Sequence, residues 1–242
     1  MDEIFSRNIL TEKIGKKGQK KLNDAKVLIA GLGGLGSCVI ANLTSLGIGT
    51  LGLLDCDKIE KSNLNRQFIH KYCDIGIDKT TSAQNWIKNY HPEIKTCLYN
   101  LKLDENNYED IIKDYDIVMD CFDSYSSKFL LNKIAIKHNK ILIHAGVSEF
   151  QGQVTTIIPN KTPCLNCLFE DIKNLNEYKV KGIVSPIINI IASIQSSEVM
   201  NLILEFDNIL KGKLLIFNLI NYKFNILNFE KNKNCMICNK QH

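Results

Sequence analysis

The stretch Lys26-Val27-Leu28-Ile29-Ala30-Gly31-Leu32-Gly33-Gly34-Leu35-Gly36 decides the fold. Its apolar opening reads as a short buried strand. The strand runs straight into Gly-x-Gly-x-x-Gly and then into a helix-like stretch over 37–46. A glycine turn that leaves a strand and opens a helix is the context a dinucleotide fingerprint requires. Glycines let the backbone approach phosphate, and the helix N-terminus supplies N–H groups and partial positive charge. Gly31, Gly33, Gly34 and Gly36 are therefore candidate cofactor-binding residues. A second strand, 50–54, ends at Asp55, roughly 20 residues beyond the last glycine, where a carboxylate can bind ribose hydroxyls. These features indicate an adenine nucleotide, NAD included, against a tight turn that binds nothing. No Gly-x-x-x-x-Gly-Lys-Ser/Thr occurs, so a Walker-type loop is not expected.

Working outward, helices are expected over 78–90, 104–114 and 124–138. Strands are expected over 95–100, over 117–119 ending in Asp120, and over 140–145. Strands alternating with helices indicate a mainly parallel α/β sheet, Rossmann-like in order. Past residue 150 the pattern changes. Strands over 153–158, 213–219 and 222–229 lack such helices, and the last two, joined near Asn221, read as a hairpin. Antiparallel strands should thus extend the sheet in the C-terminal part. The first 25 residues are polar and helix-like, with Gly15 and Gly18 expected to break them. The apolar run 183–206 is interrupted by Asn189, Ser193, Gln195, Ser196, Ser197 and Glu198. It reads as a buried helix rather than a membrane span. Ser185 is its expected N-cap and Pro186 its first helical residue. No repeat or linker is visible, so one continuous domain is expected over 1–242, with a nucleotide-binding half (1–150) and a second half (151–242).

The chain of 242 residues is 45% hydrophobic and 23% charged, with a formal net charge of +4. That composition is ordinary for a globular protein, and so mild an excess of Lys does not indicate nucleic-acid binding. Met1-Asp2-Glu3 lacks a basic region followed by an apolar run, so no export signal and a cytoplasmic location are expected. The nine cysteines should then stay reduced, which suits metal thiolates better than disulfides.

Two hooks, Cys164-Leu165-Asn166-Cys167 and Cys235-Met236-Ile237-Cys238, carry the thiols a tetrahedral zinc site needs. A shell closed by Cys164, Cys167, Cys235 and Cys238 leaves no open position for substrate, so the zinc should be structural. With residues 168–234 between the hooks, the metal would pin the C-terminal tail to the domain body. The competing readings are a redox CxxC and coincidence in a chain with nine cysteines.

After Asp55 comes a polar loop, Asp57-Lys58-Ile59-Glu60-Lys61-Ser62-Asn63-Leu64-Asn65-Arg66-Gln67-Phe68, and then Lys79 at a helix start. Hydride transfer needs no cations there, whereas a reaction among phosphates does. At this point the chain resembles the ThiF/MoeB/HesA family, relatives of ubiquitin-activating enzymes. The resemblance rests on Ser6-Arg7-Asn8, Gly15 with Gly18-Gln19, the glycine turn, Asp55-x-Asp57, Ser62 through Gln67, Lys79, and Asp120-Cys121-Phe122-Asp123. It continues with Gly152-Gln153-Val154, both hooks, Ser185-Pro186, Gln195 and Glu198, and so spans nearly the whole chain.

The resemblance implies an adenylyltransferase. Using ATP and Mg²⁺, it would activate the C-terminal carboxylate of a small ubiquitin-like sulfur-carrier protein ending in Gly-Gly, as acyl-adenylate, releasing pyrophosphate. It implies that Asp55 holds ribose and that Gly34 lies at the phosphates. Asn63, Arg66 and Lys79 would neutralise phosphate oxygens, within a nucleotide-binding set that includes Ser62, Leu64, Asn65 and Ser124. Asp123 would bind Mg²⁺. Arg7 would reach into a neighbouring subunit's site, which implies a homodimer, and the zinc-stapled half (151–242) would bind the carrier, with a carrier-facing segment just after the first hook. The bland readings are a solvated Lys79, a helix-capping Asp123 and a surface Arg7; Asp57 and Gln67 either act or only shape the loop.

Two departures stand out. Ser124 replaces the family's usual Asn, and Lys128 replaces an Arg, keeping the charge and losing the planar fork. Residues 168–234 contain no cysteine, so the covalent carrier link of some relatives is not expected. Cys38, Cys56, Cys73, Cys97 and Cys121 are expected to be packing residues. His242 follows Cys238 closely, so no C-terminal rhodanese domain is expected either. The enzyme should stop at the acyl-adenylate, with a cysteine desulfurase or rhodanese delivering sulfur. Thiamine thiazole and molybdopterin synthesis both fit, with a lean to the former that the missing cysteine weakens. Alternatives are adenylation of a modified tRNA base or a peptide, a non-catalytic carrier-binding module, and an NAD dehydrogenase.

Overall fold

A computed structural model describes residues 3–169, 182–207 and 210–239. Helix α1 (Ser6–Ile9) and α2 (Gly15–Asp24) lead into β1 (Lys26–Ala30), α3 (Gly34–Leu46) and β2 (Thr50–Leu54). Then follow α4 (Lys79–Tyr90), β3 (Lys95–Tyr99), α5 (Tyr108–Ile112), β4 (Ile117–Asp120), α6 (Tyr125–Lys137) and β5 (Ile141–Ser148). The rest comprises β6 (Gln151–Ile157), α7 (Leu165–Leu168), α8 (Ser185–Ile203), β7 (Lys213–Asn218) and β8 (Lys223–Asn228).

The sheet has eight strands in the order β3-β2-β1-β4-β5-β6-β7-β8. Pairings from β3 through β5 are parallel, and those from β5 through β8 antiparallel. The expected Rossmann-like sheet with an antiparallel extension is therefore present. Strand β1 shows how the sequence makes it: Val27 and Ile29 face one core layer with α3 and α8, while Leu28 and Ala30 face the other with Leu131 and Ile134 of α6. A strand buried on both faces has no polar side, hence its unbroken apolar run. The order reverses between β1 and β4, which opens a crevice at their C-terminal ends, where ligands of such sheets bind.

Helix α8 ties the two halves of the sheet together. Its Gln195 is fully buried and donates to the carbonyls of Asp120 and Ile143 at 3.0 and 2.9 Å. Its Glu198 accepts from Thr156 Oγ1 and the Leu210 amide, both at 2.6 Å. Gln195 and Glu198, two of the polar residues that interrupt the apolar run, are thus bound to the sheet. No helix among the described residues is long and apolar enough to cross a membrane.

Four expectations need correction. Gly18 does not break the N-terminal segment: Gly15, with φ +56°, marks the break between α1 and α2, but α2 runs on through Gly18, where a Cβ would crowd Leu204 Cδ2 at 3.1 Å. The expected helix over 104–114 shrinks to α5, because Asp104 Oδ1 accepts from the amides of Asn106 and Asn107 at 2.7 and 3.1 Å. That local turn competes with the helix. Ser185 is the first residue of α8 rather than its cap; extended Val184 precedes it and no side chain caps that end. Finally, Cys56, Cys73 and Cys97 are exposed, and only Cys38 and Cys121 are packing residues. Cys97 lies on edge strand β3, which has one neighbour in the sheet; Cys56 lies in a loop and Cys73 in a 3₁₀ turn, Tyr72–Asp74.

Candidate active site

The glycines divide their work. Gly31 has φ +93°, and a Cβ there would lie 2.8 Å from the Cys121 carbonyl. At Gly36 a Cβ would lie far too close to the Gly31 carbonyl, so this glycine permits close packing of helix on strand. A Cβ at Gly33 meets nothing nearer than the Gln67 amide at 3.8 Å. The turn is therefore tight at both ends and open at Gly33, the residue before α3, whose first backbone N–H groups can receive phosphate. Gly34 is covered by Ile188 of α8 and by the stem of Arg66, whose Cγ is 3.6 Å from its ideal Cβ.

Asp55 follows β2 and is 8% exposed. Its Oδ2 accepts from the Leu32 amide at 2.6 Å and its Oδ1 from the Asp57 amide at 2.8 Å. Each oxygen keeps a lone pair for a ribose hydroxyl. Burial raises its pKa despite the opposing charge of Lys79. Lys79, the first residue of α4, is also buried, 2.7 Å from Asp57 Oδ2 and 3.9 Å from Asp55 Oδ1. The hydrogen bond from Lys79 holds Asp57 below the usual carboxylate range. Lys79 is thus a clamped cation beside the cradle, not a solvated helix residue.

The loop between them is ordered by its own side chains. A 3₁₀ turn, Lys61–Asn63, is boxed by Glu60 and Asn63, with Asn63 Oδ1 accepting from the Glu60 amide at 3.0 Å. Arg66 Nη1 donates to the Ser62 carbonyl at 2.9 Å and to Asn65 Oδ1 at 3.0 Å. Ser62 and Asn65 are exposed, and Leu64 half-buried. Ser62 and Asn65 therefore aim the guanidinium, and Leu64 closes the turn. Gln67 is 2% exposed and its Oε1 has no partner.

The fourth piece follows β4. Asp123 is exposed. Ser124, not Asp123, caps α6, its Oγ accepting from the Ser127 amide at 3.2 Å. That leaves the Asp123 carboxylate outside the capping role, on the loop next to Gly31. Lys128 is buried, 3.2 Å from Asp120 Oδ1 and 2.6 Å from the Ala145 carbonyl. Its charge is committed inside the core and does not face the crevice. Sequence reading missed the Asp120 cluster, which also holds His144 Nδ1 at 2.6 Å. The only signal was an acid ending a buried strand.

Arg7 is exposed and lies at the far edge. Its neighbour Phe5 stacks on His91 at 5.1 Å and covers Gly47, which ends α3 in a left-handed conformation. The length of α3, about 20 Å at 1.5 Å per residue, therefore separates the Arg7 segment from its own glycine turn.

The hooks meet. Cys164 Sγ lies 3.7 Å from Cys235 Sγ, and Cys167 Sγ 3.4 Å from Cys238 Sγ. All four ligand atoms fall within 4.8 Å of one another. Tetrahedral zinc with bonds of about 2.3 Å needs sulfurs about 3.8 Å apart, so the donor set fits. Buried Asn132 of α6 braces the first hook, bonding the Leu165 amide at 3.2 Å and Asn166 Oδ1 at 2.9 Å. The segment expected to face a carrier just after this hook falls largely on 170–181, outside the described residues.

A Rossmann-type sheet with an antiparallel extension, a glycine cradle and two flanking cations define the class of the ubiquitin-activating-enzyme-like adenylyltransferases. The chain belongs to the ThiF family, whose model matches residues 5–237. It is 30% identical over 237 residues to the SAMP-activating enzyme E1 of Haloferax volcanii, covering 97% of this chain and 87% of that protein. It is 35% identical over 225 residues to a probable molybdopterin-synthase adenylyltransferase of Gracilaria tenuistipitata var. liui, covering 91% of this chain but only 62% of that one. A crystal structure of E. coli MccB with ATP superposes with a TM-score of 0.81 at 27% identity, covering 91% of this chain and 68% of that one.

Proposed function

We propose that the protein uses ATP to adenylate the C-terminal Gly-Gly carboxylate of a small ubiquitin-like sulfur-carrier protein. The observation that carries this reading is the open glycine turn flanked by Lys79 and Arg66, in a fold shared with an ATP complex. A carboxylate oxygen forms a bond to the α-phosphorus, the bond from that phosphorus to the β-phosphate bridging oxygen breaks, and pyrophosphate leaves with the electron pair. A C-terminal carboxylate, with a pKa of about 3.5, is already ionised and needs no general base. The obstacle is bringing an anion onto a polyanion, which pre-placed positive charge lowers. Asp55 holds ribose; Asn63, Arg66 and Lys79 hold phosphate oxygens; Asp123 would hold Mg²⁺, which supplies further charge stabilisation when bound.

The chain acts as one domain, its second half stapled by zinc on Cys164, Cys167, Cys235 and Cys238, and its location is cytoplasmic. It stops at the acyl-adenylate, and a separate sulfur donor acts next. The name of one relative, a probable molybdopterin-synthase adenylyltransferase, favours a molybdopterin-type carrier over the thiazole reading. ATP–pyrophosphate exchange tests the function. Exchange should require a Gly-Gly carrier and Mg²⁺. Exchange that depends instead on tRNA or a peptide would redirect the acceptor, and NAD binding without ATP binding would end the proposal.

The position of Arg7, remote from its own cradle, supports action in trans within a homodimer. Mixing Arg7→Ala with Asp123→Ala chains should restore about a quarter of wild-type exchange, since half of random C2 dimers are mixed and each holds one complete site. No restoration, with mixed dimers demonstrated by mass spectrometry, would make Arg7 a surface residue.

A further inference from the structure

We propose that buried Asp120, Lys128 and His144 form a positioning unit that sets the loop 121–124, and with it Asp123, against the glycine turn. The inference rests on the ATP-site reading above. None of the three side chains reaches the crevice: they are 0%, 7% and 2% exposed. Their contacts converge on one carboxylate. Asp120 Oδ1 accepts from Lys128 Nζ and from the Phe122 amide, each at 3.2 Å, and Oδ2 accepts from His144 Nδ1 at 2.6 Å. The side chain that ends β4 therefore folds over the next turn and holds its amide.

The same turn is bound to the cradle. The Cys121 amide donates to the Ala30 carbonyl at 2.9 Å, and the Cys121 carbonyl sits where a Cβ on Gly31 would intrude. Rotation of the Asp120 carboxylate would thus shift both the loop bearing Asp123 and the wall of the glycine turn.

Within the unit the roles differ. Lys128 balances charge and bridges to β5 through the Ala145 carbonyl. His144 sets direction. With its proton on Nδ1, its Nε2 is left to accept from Gln153 Nε2 at 3.4 Å, and the Phe169 ring stands edge-on to it at 6.2 Å. Burial keeps this imidazole below the usual histidine range, hence neutral, even beside Asp120. An apolar residue at 144 leaves Oδ2 buried without a donor, so the carboxylate turns toward Lys128 and releases the Phe122 amide. His144 touches no substrate in this scheme and is a positioning residue.

The experiment compares the full chain with His144→Leu and His144→Asn, whose amide can replace the Nδ1–H donor. Amide exchange at Phe122 is measured without nucleotide, and ATP binding by calorimetry with Mg²⁺ and with EDTA. His144→Leu, folded by near-UV dichroism, should expose the Phe122 amide and lower the Mg²⁺-dependent gain in ATP affinity about tenfold. Affinity in EDTA should stay within about twofold, and His144→Asn should keep both properties within about threefold. A folded Leu variant with wild-type protection and wild-type Mg²⁺ gain overturns the proposal. So does an unprotected Phe122 amide in the unmodified chain, whether or not the variants fold. Wild-type protein that binds no ATP in either buffer refutes the adenylation reading instead, and exchange at Phe122 still judges the loop.

Discussion

Replacing Lys79 by Met should reduce ATP–pyrophosphate exchange by about 10²–10³-fold, the usual cost of removing one pre-placed charge from a transition state. Methionine fills a similar volume, so packing of α4 should survive. What disappears is the cation 2.7 Å from Asp57 and 3.9 Å from Asp55. Asp57 is largely exposed and can turn to water, whereas Asp55 cannot. Losing one partner of a buried pair costs about 3–5 kcal/mol. Asp55 keeps the Leu32 and Asp57 amides, so the loss should sit at the lower end. Thermal melts should therefore fall by roughly 6–10 °C while exchange nearly vanishes. Lys79→Arg tests the geometry: a guanidinium keeps the charge but not the shape of this slot. Exchange within tenfold of wild type in the Met variant would remove Lys79 from the phosphate site.

Replacing Cys235 by Ser should cost folding before it costs catalysis. Metal analysis should fall from about one zinc per chain to well below that. In zinc-finger peptides structural zinc is worth about 10–16 kcal/mol, because there the metal carries the whole fold. Here the sheet has its own core on both faces, so a fraction of that, about 3–5 kcal/mol, is expected. For a chain of this size it corresponds to a Tm loss of roughly 10 °C. Exchange per folded molecule should stay within about threefold of wild type, because the hooks would complete a closed shell in the core layer opposite the one that holds α3. A chelator should reproduce the loss in the wild-type chain. Equal stability of zinc-free and zinc-loaded protein would leave the hooks to redox chemistry.

Much of this architecture is legible in the chain because it rests on local rules. An apolar run, a glycine turn and a helix start are readable at 26–46, since backbone φ and the need for close approach admit few residues there. The alternation of strands and helices, the antiparallel end and the turn near Asn221 follow the same way. Thiolate chemistry makes two CxxC hooks conspicuous at any separation. The errors are equally local. Gly18 looked like a breaker, yet in α2 it makes room for Leu204, a contact only the folded chain contains. Asp104 looked like a helix start and built a competing turn instead.

Side-chain direction is what the sequence by itself left undetermined. The chain determined the class of fold, the place of the glycine turn, the acid after β2 and the four cysteines that meet as a candidate metal site, because residue type and short spacing decide those. Tertiary structure alone decided that Lys79 turns in between Asp55 and Asp57, while Lys128 turns away to Asp120. It also decided that Ser124 and not Asp123 caps α6, and that Arg7 lies at the opposite end of α3 from the turn. The physical reason is common to all of them. A long side chain goes where a distant strand offers a charge or a carbonyl, and that partner is supplied by the order of strands in the sheet, not by the neighbouring residues.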